Sequence, residues 1–88
     1  MTTTIKDKLT EKGYLGDNSL SSIEWWLRDV KHIHCEIFFS MFHKKWFINN
    51  YLIDLKKQKK IELNLKEIKF ESYPDALEFA IEQMVSKI

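Results

Sequence analysis

The sequence predicts a single small α+β domain, a helix at each end and two or three antiparallel strands between them. Three observations carry this reading. Two stretches repeat their apolar residues with helical period, the residues between them alternate with period two, and the connections are short enough for hairpins. A parallel crossover would need a dozen or more residues, so a meander is favoured.

Residues 5–12 (IKDKLTEK) are read as a short helix, with Ile5 and Leu9 four apart and Gly13 as its stop. Residues 14–19 (YLGDNS) hold Gly16, Asp17 and Asn18, which favour turns. Residues 1–20 are therefore expected to form an arm with a short helix, and residues 21–88 the core. A helix over 22–31 opens on Ser21-Ser22-Ile23-Glu24, which has capping-box spacing. Ile23, Trp26, Leu27 and Val30 line one face of it. Trp25 stands about 100° off that stripe.

The period then changes. Ile33, Cys35, Ile37, Phe39 and Met41 point one way and are expected against the helices, with His32, His34, Glu36, Phe38 and Ser40 on the other face. His43-Lys44-Lys45 is expected to make the turn into a second strand over 46–55, which Asn49-Asn50 interrupts with a bulge or bend. A cationic loop over 56–60 leads to alternation over 61–70 that changes phase after Lys66-Glu67. Ser72 as N-cap, Pro74 in the first turn and Asp75 at the third position open the last helix, where Leu77, Ala80, Ile81, Met84 and Ile88 form the buried stripe.

Composition narrows the function classes. The 88 residues suit one domain, and six Phe, three Trp and three Tyr supply a core for it. Fourteen Lys and Arg against thirteen Asp and Glu leave a net charge of +1, so no global field draws the chain to nucleic acid or membrane. Arg28 is the only arginine, whereas base readers use several guanidinium forks. Cys35 is the only cysteine, which rules out an internal disulfide and favours a reducing compartment. Polar Thr2, Thr3 and Thr4 follow Met1, with no apolar leader and no long apolar span, so the expected location is the cytoplasm.

Two constellations suggest chemistry and then lose it. His32, His34, Cys35 and His43 resemble a metal set, but alternation sends Cys35 to the face opposite His32 and His34, and His43 belongs to the turn. Cys35 as a nucleophile needs an accessible, electropositive niche, yet it lies between Ile33 and Ile37 on the apolar face. No phosphate-cradling glycine loop and no nucleophile elbow is present. The expectation is a protein without catalytic residues, metal or cofactor.

A binding surface is better supported. Trp25, Phe38, Phe47, Tyr51 and Phe79 lie off the main apolar stripes, more rings than one small core needs. Lys44, Lys45, Lys56, Lys57, Lys59 and Lys60 interleave with some of them. Trp25, Phe38, Phe47, Tyr51 and these six lysines are the candidate partner-binding residues. Rings beside cations also form single-strand platforms, so an RNA or single-stranded DNA module is the alternative. The competing structural reading assigns the rings to the core and the lysines to solvated loops and protected edges. Surplus rings and unpaired strand edges favour a homodimer over a monomer.

Trp26-Leu27-Arg28-Asp29 followed by Lys31-His32-Ile33-His34 resembles the W-[LF]-R-E-K-H-x-I-x-I segment of small proteins encoded by bacteriophages, prophages and Bacteroidetes-type genomes. Leu9-Thr10-Glu11-Lys12-Gly13 matches the L-x-E-K-G stretch that often precedes it there, and Trp46 the single aromatic of the middle strands. Residues 70–81 (FESYPDALEFAI) fit the family's closing F-x-[ST]-Y-x-x-A-L-x-x-A-I. Cys35 stands where a β-branched residue is usual, and Pro74 where an acid is common. The resemblance implies a mobile-element accessory protein. Such a chain is expected to bind, and inhibit or redirect, a host protein or ribonucleoprotein, a CRISPR-type defence effector among the options.

Overall fold

A computed structural model describes residues 2–88; Met1, from which the N-terminus was read as leaderless, lies outside the described residues. The chain is α+β. Three helices, α1 (Thr3–Glu11), α2 (Leu20–Asp29) and α3 (Tyr73–Val85), accompany five antiparallel segments, β1 (Ile33–His34), β2 (Ile37–Ser40), β3 (Lys45–Ile48), β4 (Tyr51–Asp54) and β5 (Lys59–Glu62). β4 lies between β1 and β5 in one sheet, and β2 pairs with β3 in another. Among the described residues no helix is long and apolar enough to cross a membrane.

The two sheets are one long hairpin interrupted once. His34 pairs with Ile53 and Ile37 with Ile48, so three steps along the first strand match five along the second. The two surplus residues fall where Asn49-Asn50 predicts an interruption. An excess of two, unlike a one-residue bulge, keeps the side-chain alternation in phase across the break. Asn49 stays anchored by its N–H to the Glu36 carbonyl (3.1 Å), and its side-chain amide donates to the Glu36 carboxylate (3.0 Å). Asn50 accepts from Leu63 N–H with its backbone oxygen and from Leu65 N–H with its side chain. That draws the chain after β5 back across the break. The expected phase change after Lys66-Glu67 comes earlier, at Asn64, which is left-handed (φ 52°). Phe70 then closes a bridge to Trp46.

Helix ends follow side-chain chemistry. Ser72 caps α3 by accepting from Asp75 N–H (3.2 Å), with Pro74 in the first turn. α1 ends at Gly13 (φ 101°): Gly13 N–H donates to the Thr10 carbonyl and Tyr14 N–H to that of Leu9, the paired bonds of a Schellman motif. Its apolar clasp, Leu9 against Tyr14, is buried, so the segment expected as an arm places two side chains in the core. α2 starts earlier than expected and ends earlier, over Leu20–Asp29, and its cap is Ser19 rather than Ser21 or Ser22. Asp17 accepts the Ser19 N–H (3.0 Å) and so selects that serine.

The core joins Ile23, Trp26 and Leu27 of α2 to Leu77, Ala80, Ile81, Met84 and Val85 of α3, over Ile33, Cys35 and Leu52. Val30, expected on the buried stripe, lies past the end of α2 and is exposed. No buried side-chain nitrogen or oxygen among the described residues lacks a hydrogen-bond partner. Polar strain therefore gives the core no reason to open.

Candidate partner-binding surface

Two four-residue loops shape the surface, and both use the same device. Residues 41–44 join β2 to β3, and residues 55–58 join β4 to β5. In each, the last loop residue is left-handed, Lys44 (φ 54°) and Gln58 (φ 56°). In each, the side chain ending the first strand accepts backbone N–H groups: Ser40 Oγ from His43 (3.2 Å), and Asp54 Oδ1 from Lys56 (3.1 Å) and Lys57 (2.9 Å). The expected His43-Lys44-Lys45 turn is thus displaced to Met41–Lys44, and Lys45 begins β3. Lys59 and Lys60 likewise belong to β5 rather than to the cationic loop.

That displacement carries Met41 and Phe42 out to the hairpin tip, 81 % and 90 % exposed. Met41 and Phe39 were expected on the buried face; Phe39 is also exposed, on a strand whose outer edge has no neighbouring strand among the described residues to cover it. Met41 and Phe42 are the exposed apolar residues that sequence reasoning missed. Their signal was present, since hairpin loops ordinarily hold Gly, Asn, Asp or Ser rather than Met-Phe.

Rings run from this tip onto both sheet faces. Phe42 meets His43 (5.0 Å between ring centres), His43 meets Phe47 (5.3 Å), and Phe47 stacks on Phe38 at 5.7 Å and 14°. On the helix-facing side Phe39 meets Trp46 and Trp46 meets Tyr73, both edge to face. Phe47 was expected to be open to a partner but is 6 % exposed. It stacks on Phe38, and the two rings line one cleft with Leu65 and Ile68 of the irregular segment.

The remaining candidates do not form one patch. Trp25, 55 % exposed on the outer side of α2, lines a separate cleft of about 510 Å³ with Tyr14, Leu15, Gly16, Asp17, Ser21, Ser22 and Trp26. Its Gly16 is needed, because an added Cβ would lie 2.6 Å from the Tyr14 hydroxyl oxygen, which is held by its bond to the Asp17 carbonyl. Lys44 is exposed at the tip, but Lys45 donates to both Glu71 carboxylate oxygens (2.5 and 2.6 Å). Lys56 and Lys57 occupy the other loop, about 30 Å away at roughly 3.3 Å per extended residue. Lys59 pairs in register with Asp54, and the Lys60 ammonium sits 4.4 Å from the centre of the Tyr51 ring. The structure therefore brings together Phe38 with Phe47 and Tyr51 with Lys60, and separates both pairs from Trp25.

Titratable groups fit a packed surface. Burial, with Glu24 and then Glu36 adding repulsion, pushes the Cys35 thiol up to about 12, so it is neutral at physiological pH. Burial, then Asp17, raises the Tyr14 phenol; burial, then Glu24, raises Tyr73. The Asp17 carboxyl is held below its ordinary value by hydrogen bonds from Ser19 and Ser22. No three His, Cys, Asp or Glu side chains among the described residues are grouped so as to hold a metal ion. No family model, curated protein or solved structure matches this chain.

Proposed function

We propose that this protein acts by occupying a surface of a macromolecular partner, without catalytic chemistry of its own, and that the β2–β3 hairpin is its contact element. The observation that supports this reading is the tip: two large apolar side chains stand almost fully in water at the end of a hairpin whose strands carry packed aromatic rings. Leaving them exposed sacrifices burial worth about 1.5–3 kcal/mol for each side chain. A pocket on a partner recovers it, as anchor residues do in protein interfaces.

The partner class we propose is a host protein or ribonucleoprotein in the cytoplasm, and the outcome of binding is inhibition or modulation. The resemblance to phage and mobile-element proteins points the same way, with a CRISPR-type defence effector as one such target. A second reading, an RNA or single-stranded nucleic-acid module, is favoured by a different observation. Lys60 over Tyr51, with Lys56, Lys57 and Lys59 nearby, has the parts of a stacking platform.

The test is a tagged pull-down from host lysate, with and without nuclease, using the natural chain and a Met41→Asp/Phe42→Asp variant. Both positions are exposed, so the variant keeps the fold. Recovery of a nuclease-resistant partner by the natural chain, lost in the variant, is the expected result. Nucleic acid recovered alone and lost after nuclease overturns it in favour of the second reading.

A further inference from the structure

We infer that the outer edge of β2 pairs with the same edge of a second copy of this chain, antiparallel and with Phe38 on the two-fold axis. The inference is independent of the proposed partner and rests on where the backbone groups of β2 point. Glu36 accepts from Asn49 N–H with its carbonyl, and Ser40 accepts from Lys44 N–H, so both carbonyls face β3. Trp46 uses its N–H and its carbonyl on Phe70, at 2.9 Å each, and so turns both away from β2. Phe39, opposite Trp46, is consequently in a non-hydrogen-bonded pair, and Phe38 with Phe47 in a hydrogen-bonded one. Alternation leaves the N–H and C=O of Ile37 and Phe39 directed outward, and β2 has no second strand neighbour among the described residues.

A two-fold axis normal to the sheet keeps each face on its own side, so opposed residues must have the same parity. Centring on Phe38 places Ile37 opposite Phe39 of the other copy, and Phe39 opposite its Ile37. The four outward-directed residues then meet as two hydrogen-bonded pairs, and Glu36 falls opposite Ser40, so no like charges oppose. Centring on Phe39 would instead set Ile37 against Met41, which lies in the loop.

The composition of this edge selects a second copy over a closed monomer. Residues 37–42 (IFFSMF) carry no charge and no proline, the devices that normally protect an edge. β5 by contrast carries Lys59, Lys60 and Glu62, and β1 is only two residues long and follows left-handed His32. In the pair, exposed Phe38 meets its own copy on the open sheet face, and Ile37 covers Phe39 on the other.

The register gives a sharp test. Phe38 and its copy form a non-hydrogen-bonded pair with Cα atoms about 4.5 Å apart, within disulfide range. Cys35 is buried and its thiol stays protonated, so it does not compete. Sedimentation of the natural chain at tens of micromolar is expected to give a dimer, and Phe38→Lys, which places two ammonium groups on the axis, a monomer. Under mild oxidation Phe38→Cys is expected to cross-link at least tenfold faster than Phe39→Cys. A natural chain that sediments as a monomer at that concentration, or equal cross-linking at the two positions, overturns the inference.

Discussion

Cys35 shows how one side chain links packing to pH. It lies beneath α2, buried with Ile33 and Leu52, and is desolvated enough for its thiol to titrate near 12 rather than at the ordinary 9.0. The folded chain keeps this proton over a range in which the unfolded chain releases it. Stability present below pH 9 is therefore lost progressively as pH rises towards 12, with Tyr14 and Tyr73 acting in the same direction. Denaturant melts at pH 7, 9 and 10.5 check this: stability should fall with pH, and more shallowly in Cys35→Ala. In the native state at pH 8 a disulfide reagent should label Cys35 only as fast as the chain opens, and labelling at the rate of an unfolded control would refute the burial. The position of Cys35 was legible from alternation alone, since Ile33 and Ile37 flank it in phase. Phe47 was not, because its surroundings include the irregular segment of Leu65 and Ile68, with which it lines one cleft and which no periodicity could place.

At the scale of elements, legibility depended on whether one residue type could do the job. Ser72, Pro74 and Asp75 mark the start of α3 unambiguously, and Gly13 marks the end of α1 because its φ of 101° suits no other residue well. The start of α2 was expected at Ser21 or Ser22, and Ser19 is set as the cap instead by Asp17, whose carbonyl accepts from the Tyr14 hydroxyl. The two hairpin loops are hard to place from sequence for a related reason. Their left-handed positions are filled by Lys44 and Gln58, side chains that announce no turn. This conformation costs non-glycine residues roughly 1–2 kcal/mol, partly offset here because glycine would lose more entropy on folding. Lys44→Gly and Gln58→Gly are therefore expected to stabilise the fold by about 0.5–1 kcal/mol each. Gly13→Ala should destabilise it by about 1 kcal/mol or more. Opposite signs at the two kinds of site, measured by urea denaturation, check the account; destabilisation by both glycine substitutions would sink it.

Across the whole molecule, charge and apolar surface are laid out differently. The net charge is +1, and the lysines that could act together sit towards opposite ends of a body 39 Å long. Lys45 is committed to Glu71, and Lys44 lies in the loop that carries the apolar tip. Of the six candidate lysines, Lys56, Lys57, Lys59 and Lys60 form the cationic group, at the end of the 45–54 span remote from Met41 and Phe42. Proximity in sequence suggests one patch, and the hairpin geometry divides it. The division gives the two functional readings different salt signatures. A single-stranded nucleic acid held by those four lysines would lose affinity with a log–log slope of about −3, at roughly 0.7 per neutralised phosphate. A protein partner seated on the Met41–Phe42 tip displaces few counterions, and salt acts mainly on its rate of association. Once a partner is isolated, its affinity between 50 and 400 mM salt should therefore change less than about threefold. Exchanging Lys56, Lys57, Lys59 and Lys60 together for Gln should leave it within a similar factor, whereas Phe42→Asp should weaken it at least tenfold. The reverse ranking would move the contact from the tip to the Tyr51–Lys60 end and make the nucleic-acid reading the correct one.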